Sequence, residues 1–408
     1  MCGYAKMCGC AGTPSPSMTS TEITLRVVNA IVDVTPAAWD ACANPAPDVG
    51  AHPDYNPFIS HDFLSSLELS GSVRNRAGWQ PMHLVAEAGG ELVGAVPCYA
   101  KSHSQGEYVF DHGWADAYER AGGSYYPKLQ VAVPFTPATG RRLLARPGAQ
   151  ADDIRLLLAE GLAEVCRRSH ASSVHVTFPT EDEWQLLGEQ GYLKRTHRQF
   201  HWENAGYSTF DDFLGSLASR KRKAIRRERA DALANGITVH CLTGAELTEN
   251  VWDAFFEFYM DTGSRKWGRP YLNRAFYSIV SEKMADRIVL VMAKRNGHWI
   301  AGAINFVGSG TLFGRHWGCI EQHAFLHFEI CYYQAIEYAI VHKLGRVEAG
   351  AGGQHKISRG YLPVTTYSAH YIADPGLRRA IADFLTHERA HVAAEVDELA
   401  EAAPFRKG

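Results

Sequence analysis

No stretch of this 408-residue chain approaches the roughly 18 uninterrupted apolar residues that a membrane span requires. The longest apolar run, residues 288–293, is strand-sized, so a soluble protein is expected, with membrane contact at most peripheral. Residues 1–22 lack the apolar core of a signal peptide and are rich in Gly, Ser and Pro; a disordered leader and a cytoplasmic location are expected. The nine cysteines are odd in number and lack the spacing of a disulfide framework. Cys2, Cys8 and Cys10 cluster in the leader without further ligands, and no His/Cys run has zinc spacing, so no metal site is expected. Neither sign of charge dominates: 41 Lys and Arg face 44 Asp and Glu, which leaves no global field to attract polyanions. A Gly-x-Ser-x-Gly elbow and a Walker loop are also missing, which argues against hydrolase and nucleotide-hydrolysis readings.

What the chain does contain is an internal repeat. Residues 83–97 read as a strand, a Gly89-Gly90 turn and a second strand; residues 289–305 repeat this around Asn296-Gly297, placing Gly94 opposite Gly302 in the match. Residues 108–114 echo residues 312–318, which predicts a third strand in each copy. Residues 174–178 and 346–350 each follow a helical pattern as a strand does in a βαβ unit. Gly191-Tyr192-Leu193 is answered by Gly360-Tyr361-Leu362, and the same interval later His201-Trp202 is answered by His370-Tyr371. Copy one carries an insertion, residues 125–144, that copy two lacks. Between the copies a basic helix is predicted from Phe213 to about Asn235, closed by Gly236; another helix, 376–400, ends the pattern. The expected organisation is therefore a leader (1–22), unit one (23–208), a basic connection (209–236), unit two (237–375) and a C-terminal helix (376–408).

A hairpin, a third strand, a helix, a fourth strand, a Gly-aromatic step and a last strand is an ordering that resembles the GNAT acyltransferase unit. Two such units joined by a basic helix resemble the FemAB-like branch. The resemblance is carried more narrowly by Asn56-Pro57-Phe58, by Trp114, Asp116 and Tyr118, by the segment 266–271 and by His355-Lys356, and it spans residues 56–393. It implies an α/β fold of tandem GNAT-like units. It also implies transfer of an acyl or aminoacyl group to a primary amine, from acyl-CoA in GNAT enzymes or aminoacyl-tRNA in Fem-type transferases, with no tightly bound cofactor. The usual GNAT pyrophosphate loop, Gln/Arg-x-x-Gly-x-Gly/Ala, is absent from both copies, which leaves the donor open.

Candidate residues follow from this frame. Lys356 matches the Fem-type lysine that stabilises developing negative charge, and His355 beside it is a candidate for proton handling. Glu348, His316 and Glu329 are further candidates for the base that an attacking amine needs, since an ammonium has no lone pair. Arg359, Tyr361, Lys266, Trp267 and Arg269 are candidates for substrate binding. In the insertion, Thr136, Thr139, Gly140, Arg141 and Arg142 offer hydroxyls, backbone N–H groups and guanidiniums to a donor pyrophosphate. Arg220, Lys221, Arg222, Lys223, Arg226 and Arg227 are a candidate surface for tRNA phosphates or an anionic inner-membrane surface. Acceptors to weigh are an amine of a cell-envelope precursor, a lipid amine such as a long-chain base acylated from acyl-CoA, and a small metabolite amine. A non-catalytic GNAT-fold module binding peptidoglycan precursor or nucleic acid is the competing class.

Overall fold

The computed structural model describes residues 22–46, 54–267, 270–350 and 352–406. The expected leader, apart from Glu22, lies outside them. Copy one contributes β1 (Ile23–Val28), α1 (Pro36–Ala43), α2 (His61–Leu69), β2 (Trp79–Pro81), β3 (His83–Ala88), β4 (Glu91–Val96), β5 (Cys98–Lys101), α3 (His112–Arg120), β6 (Lys128–Val131), β7 (Leu144–Ala145), α4 (Ala151–Arg168), β8 (Ser173–Thr177), α5 (Glu181–Glu189) and β9 (Leu193–Glu203). The connection forms α6 (Phe210–Ser216) and α7 (Ser219–Ala232). Copy two contributes β10 (Thr238–Leu242), α8 (Glu249–Trp267), α9 (Arg274–Met284), β11 (Ile288–Arg295), β12 (His298–Val307) and β13 (Thr311–Cys319). It continues with α10 (Leu326–Phe328), a π-helical turn (Glu329–Tyr333), α11 (Gln334–Val341), β14 (Arg346–Glu348) and β15 (Leu362–Ile372); α12 (Pro375–Glu401) follows.

Both predicted hairpins form. Gly89 and Gly90 in one, Asn296 and Gly297 in the other, all take positive φ, the geometry that matches the twist of the flanking strands. The first six residues of β11 are all buried, as expected of an interior strand whose apolar run does not alternate. Two expectations need correction. Residues 108–114 do not form a third strand: Asp111 leads into α3, which buries Trp114 and Ala115 and turns its polar side chains outward, a helical rather than a two-residue period. The strand between the hairpin and β8 in copy one is β6 instead, antiparallel to β5 and parallel to β8, with β2 at the sheet edge. The basic helix is not continuous either. α6 starts at a Thr209/Asp212 capping box and stops where Leu217 pairs with Phe405 and the Ala218 N–H goes to the Pro404 carbonyl, so α7 begins afresh.

A four-stranded sheet (β1-β3-β4-β7) stands beside an eleven-stranded one ordered β10-β11-β12-β13-β14-β9-β15-β8-β6-β5-β2. The middle of this order exchanges strands: β9 of copy one lies against β14 of copy two, and β15 of copy two lies against β8 of copy one. Where β9 and β15 pair, Leu193 faces His370 and, reciprocally, Leu362 faces His201; His197 faces its own counterpart Thr366 on the local two-fold axis. The sequence repeat is therefore a structural dyad. The Gly191 and Gly360 that precede the two strands both sit at left-handed φ, near +83° and +89°. α12 covers this seam with Leu377, Ile381, Leu385 and Val392, and its Glu388 takes a bidentate pair from Arg195 of β9. On the other side α2 packs against α9, with Phe63 against Phe276 and Asn273 bonded to the Ser70 carbonyl.

Candidate functional site

In copy two, β13 and β14 run parallel only from Thr311–Phe313 against Arg346–Glu348 and then part. A bulge in β13 sits at this point, and a Cβ on Gly314 would stand 3.3 Å from Asn305 Oδ1 and 3.5 Å from the Glu348 carbonyl. β14 runs on into Gly350, Gly352 and Gly353, all at positive φ. The gap between the strands is a cavity of about 110 Å³ walled by Asn305, Gly314, Arg315, His316, Tyr332 and Ala349 among others. Arg315 and His316 also border a narrow neck that shares Phe135 and Leu272 with a larger cleft of about 390 Å³ between the copies. Phe135 of copy one and Tyr271 of copy two stack there at 4.9 Å.

Glu348, at the end of β14, is the most perturbed carboxyl of this region. Burial pushes it up to about 7, offset only in part by the Arg346 charge, the Thr139 N–H and the Arg315 charge. Its Oε2 has no hydrogen-bond partner among the described residues and lies 3.9 Å from His201 Nε2. His201 is buried and pulled down to about 3 by that burial, so it stands neutral beside the carboxyl. His316 is likewise pulled down to about 3 by burial, and its ring meets Tyr259 edge-on. Arg315 donates to the Phe135 carbonyl and so fastens the insertion of copy one to β13 of copy two.

Lys356 is buried, with Nζ donating to the carbonyls of Ala349 (2.8 Å) and Gly350 (3.0 Å), and burial pulls it down to about 8. Two of its three donors are thus committed to the glycine-rich turn that ends the cavity. His355 is exposed and meets the Tyr332 hydroxyl at 2.9 Å. Arg359 lies over the Phe328 ring at 3.4 Å and pairs with Glu228 of α7, while Tyr361 is fully buried and donates to the Tyr332 carbonyl. Glu329 is also fully buried and is taken up by Arg229 and Gln334, which makes it an anchor for α7. The side chains of Lys266 and Trp267, and Arg269 as a whole, lie outside the described residues.

The insertion in copy one behaves differently from a free phosphate loop. Arg142 is fully buried and donates to the carbonyls of Thr177, Ala138, Gly140 and Arg141, while its own N–H meets the Glu183 carboxylate. Arg141 donates to the Cys42 and Ala43 carbonyls. Both guanidiniums are spent inside copy one. Thr136 bonds back to the Pro134 carbonyl, a Cβ on Gly140 would strike Asn56 Nδ2, and Thr139 has a buried hydroxyl without a partner. The insertion thereby fastens to the outgoing end of β8, the Gly140 N–H on the Phe178 carbonyl and Arg142 on the Thr177 carbonyl.

Sequence reasoning missed three features: Arg315 as a tether, His201 as the neighbour of Glu348, and a buried polar chain in copy one. In the last, Lys128 Nζ meets Ser104, Glu107 and Asp111 at 2.5–2.8 Å; Tyr125 links Asp111 to His175, and His175 meets His370 of copy two at 2.7 Å. Lys101 lies over Trp79, pulled down by burial to about 7. The only signal for His175 and His370 was their place on the repeated strands. Among the described residues no group of three His, Cys, Asp or Glu is placed to hold a metal ion, and no helix is long and apolar enough to cross a membrane.

The sequence model of the FemAB-like family, described as peptidoglycan biosynthesis/recognition, matches residues 30–407. No curated protein matches the chain. Among solved structures, FemX superposes with a TM-score of 0.54 at 13% identity, covering 86% of this chain and 98% of FemX. L-PGS from Bacillus licheniformis gives a TM-score of 0.49 at 9% identity, covering 81% of this chain and 98% of its own. A tandem GNAT protein from the clavulanic acid biosynthesis pathway gives 0.44 at 14%, covering 87% and 99%. The tandem GNAT fold expected from the repeat is the fold observed.

Proposed function

This chain belongs to the FemAB-like family, and from that premise we propose that it transfers an acyl or aminoacyl group to a primary amine of a cell-envelope precursor or lipid, with the chemistry in copy two. The observation that carries this reading is the open gap between β13 and β14, with Glu348, a carboxyl pushed up to about 7, at the end of the strand beside it, whereas in copy one Gly140 and Arg142 of the insertion bond to the end of β8. The cavity takes the activated carbonyl of a thioester or aminoacyl ester, and the amine approaches from the cleft between the copies through the neck at Arg315 and His316. The amine nitrogen attacks, a C–N bond forms, and the C–S or C–O bond breaks. Glu348 accepts the proton from nitrogen and returns it to the leaving group, a task suited to a group that titrates close to pH 7. Neutral His316 orients the reactants. Lys356 is a positioning residue that holds the Gly350 turn in place.

The test is mass spectrometry of lipid and cell-wall extracts from a strain lacking this gene, complemented by wild type or by Glu348→Gln. An N-acylated product that is missing in the deletion and restored only by wild type supports the reading and identifies the acceptor. Unchanged extracts, or full rescue by the variant, overturn it in favour of a binding module.

A further inference from the structure

α7 breaks the local rules of helix construction at its N-terminus. Its first turn carries Arg220, Lys221 and Arg222 where the helix dipole favours acids, it has no acid there, and Ala218 supplies no side-chain cap. By contrast α5 and α6 each open with acids and a threonine cap. Like charges also recur at three- and four-residue spacing along one helix, which repels. The inner face is settled: Ile225 and Ala232 are buried, Arg229 pairs with Glu329 and Glu337, and Glu228 pairs with Arg359. Of the outer cations, Arg226 and Arg227 have exposed pairs with Asp211 and Asp231, of the sort that contributes little. Arg220, Lys221, Arg222 and Lys223 have no ion-pair partner among the described residues.

Apolar side chains stand open around this charge. Leu233 at the end of α7 is 40% exposed, and Phe325 at the start of α10, which packs against α7, is 37% exposed; Ile320, in the connection from β13 that leads to Phe325, is 46% exposed. A basic helix flanked by exposed Leu, Ile and Phe is the combination that binds a charged interface and inserts into it, since one signal alone gives only marginal attachment. No aromatic residue lies within α7 to stack a base, which is what a single-stranded nucleic acid would need.

We propose that α7 docks this protein on an anionic lipid surface, with Phe325 and Ile320 entering the headgroup region beside it. The docking surface is independent of the transfer reaction. It is tested by sedimenting the full chain with phosphatidylcholine vesicles with and without phosphatidylglycerol, at several salt concentrations. Binding to the anionic vesicles is expected, weaker by at least about tenfold on the neutral ones and weaker as salt rises. Arg220→Glu with Lys223→Glu should abolish it; Arg220→Gln with Lys223→Gln, which should weaken it, serves if charge reversal disturbs folding. Phe325→Ser with Ile320→Ser should lower it severalfold at unchanged salt dependence. The same charge reversal at Arg155 and Arg168 of α4 should leave it intact. Equal binding to both vesicles, retention by the α7 variants, or equal loss in the α4 control overturns the proposal. So does displacement of the protein from anionic vesicles by stoichiometric tRNA at physiological salt, which would assign the surface to RNA.

Discussion

At the end of the fourth strand of each copy, a buried cation binds the outgoing backbone. In copy one Arg142 holds the Thr177 carbonyl and three carbonyls of its own loop; in copy two Lys356 holds the matching Gly350 carbonyl and that of Ala349. Arg142 comes from an insertion that fastens to the end of β8, whereas Lys356 comes from the chain beyond the gap and leaves it open. Within the dyad the copies differ again: Glu348 stands opposite His201 in copy two, and the matching place opposite His370 in copy one is held by the buried His175. A single architecture has thus been fastened for stability on one side and kept open and titratable on the other.

The largest effect that would test this contrast is in stability. Arg142→Met removes the donor to four carbonyls, two of them in buried bonds, and should cost about 3–5 kcal/mol in denaturant unfolding, whereas Lys356→Met, with two part-buried bonds, should cost about 1–3 kcal/mol. Equal losses would dissolve the distinction between the two cations. Next comes activity: once a product is identified, Glu348→Gln should lower turnover by about 100-fold or more, and the wild-type rate should climb as pH rises through about 7 and then level. A variant that keeps the same pH profile would remove Glu348 from the chemistry. The same carboxyl has a signed effect on folding. Its folded value, about 7, lies above its ordinary 4.5, so the native state holds the extra proton between these values and stability falls as pH rises from 4.5 to about 7. Glu348→Gln should remove that share of the slope.

Smaller contrasts sharpen the dyad. Gly191→Ala and Gly360→Ala impose the same strain of positive φ, about 1–2 kcal/mol. The second also drives a Cβ to 2.9 Å from the Phe213 ring, while the first meets nothing within 4 Å, so Gly360→Ala should be worse by a further ~1–3 kcal/mol in thermal unfolding. Smallest of all is His197→Thr, which makes the on-axis pair identical and loses one bond to Ser368; a cost of about 1 kcal/mol is expected.

What the sequence disclosed and what it hid divide along physical lines. Hairpins with Asn296-Gly297 and Gly89-Gly90, the strands opening at Leu193 and Leu362, and α12 were readable because local turn chemistry and side-chain period decide them. Residues 108–114 were misread because their likeness to residues 312–318 was taken for shared structure, while the polar spacing of the segment favoured a helix. The break between α6 and α7 depends on residues 404–405 far along the chain, and no local pattern announces it. At the site, Glu348 and His316 could be nominated from their strand positions. His201 could not, and Thr139, nominated for a donor pyrophosphate, could not be placed beside Glu348, because both reach it only through strand exchange and an insertion that crosses from one copy to the other.

The exchanged strands have a consequence for how such a chain is made and from what. Neither half can close its own sheet: β8 waits for β15, the last strand synthesised, and β14 closes on β9, made long before it. During synthesis copy one therefore stands with an open edge until nearly the whole polypeptide has emerged, and a fragment ending near residue 208 would carry that edge permanently. A single unit with this topology completes itself only by trading its final strand with a twin. The protein is in that sense a domain-swapped homodimer written on one chain, its former symmetry axis still marked by His197 and Thr366.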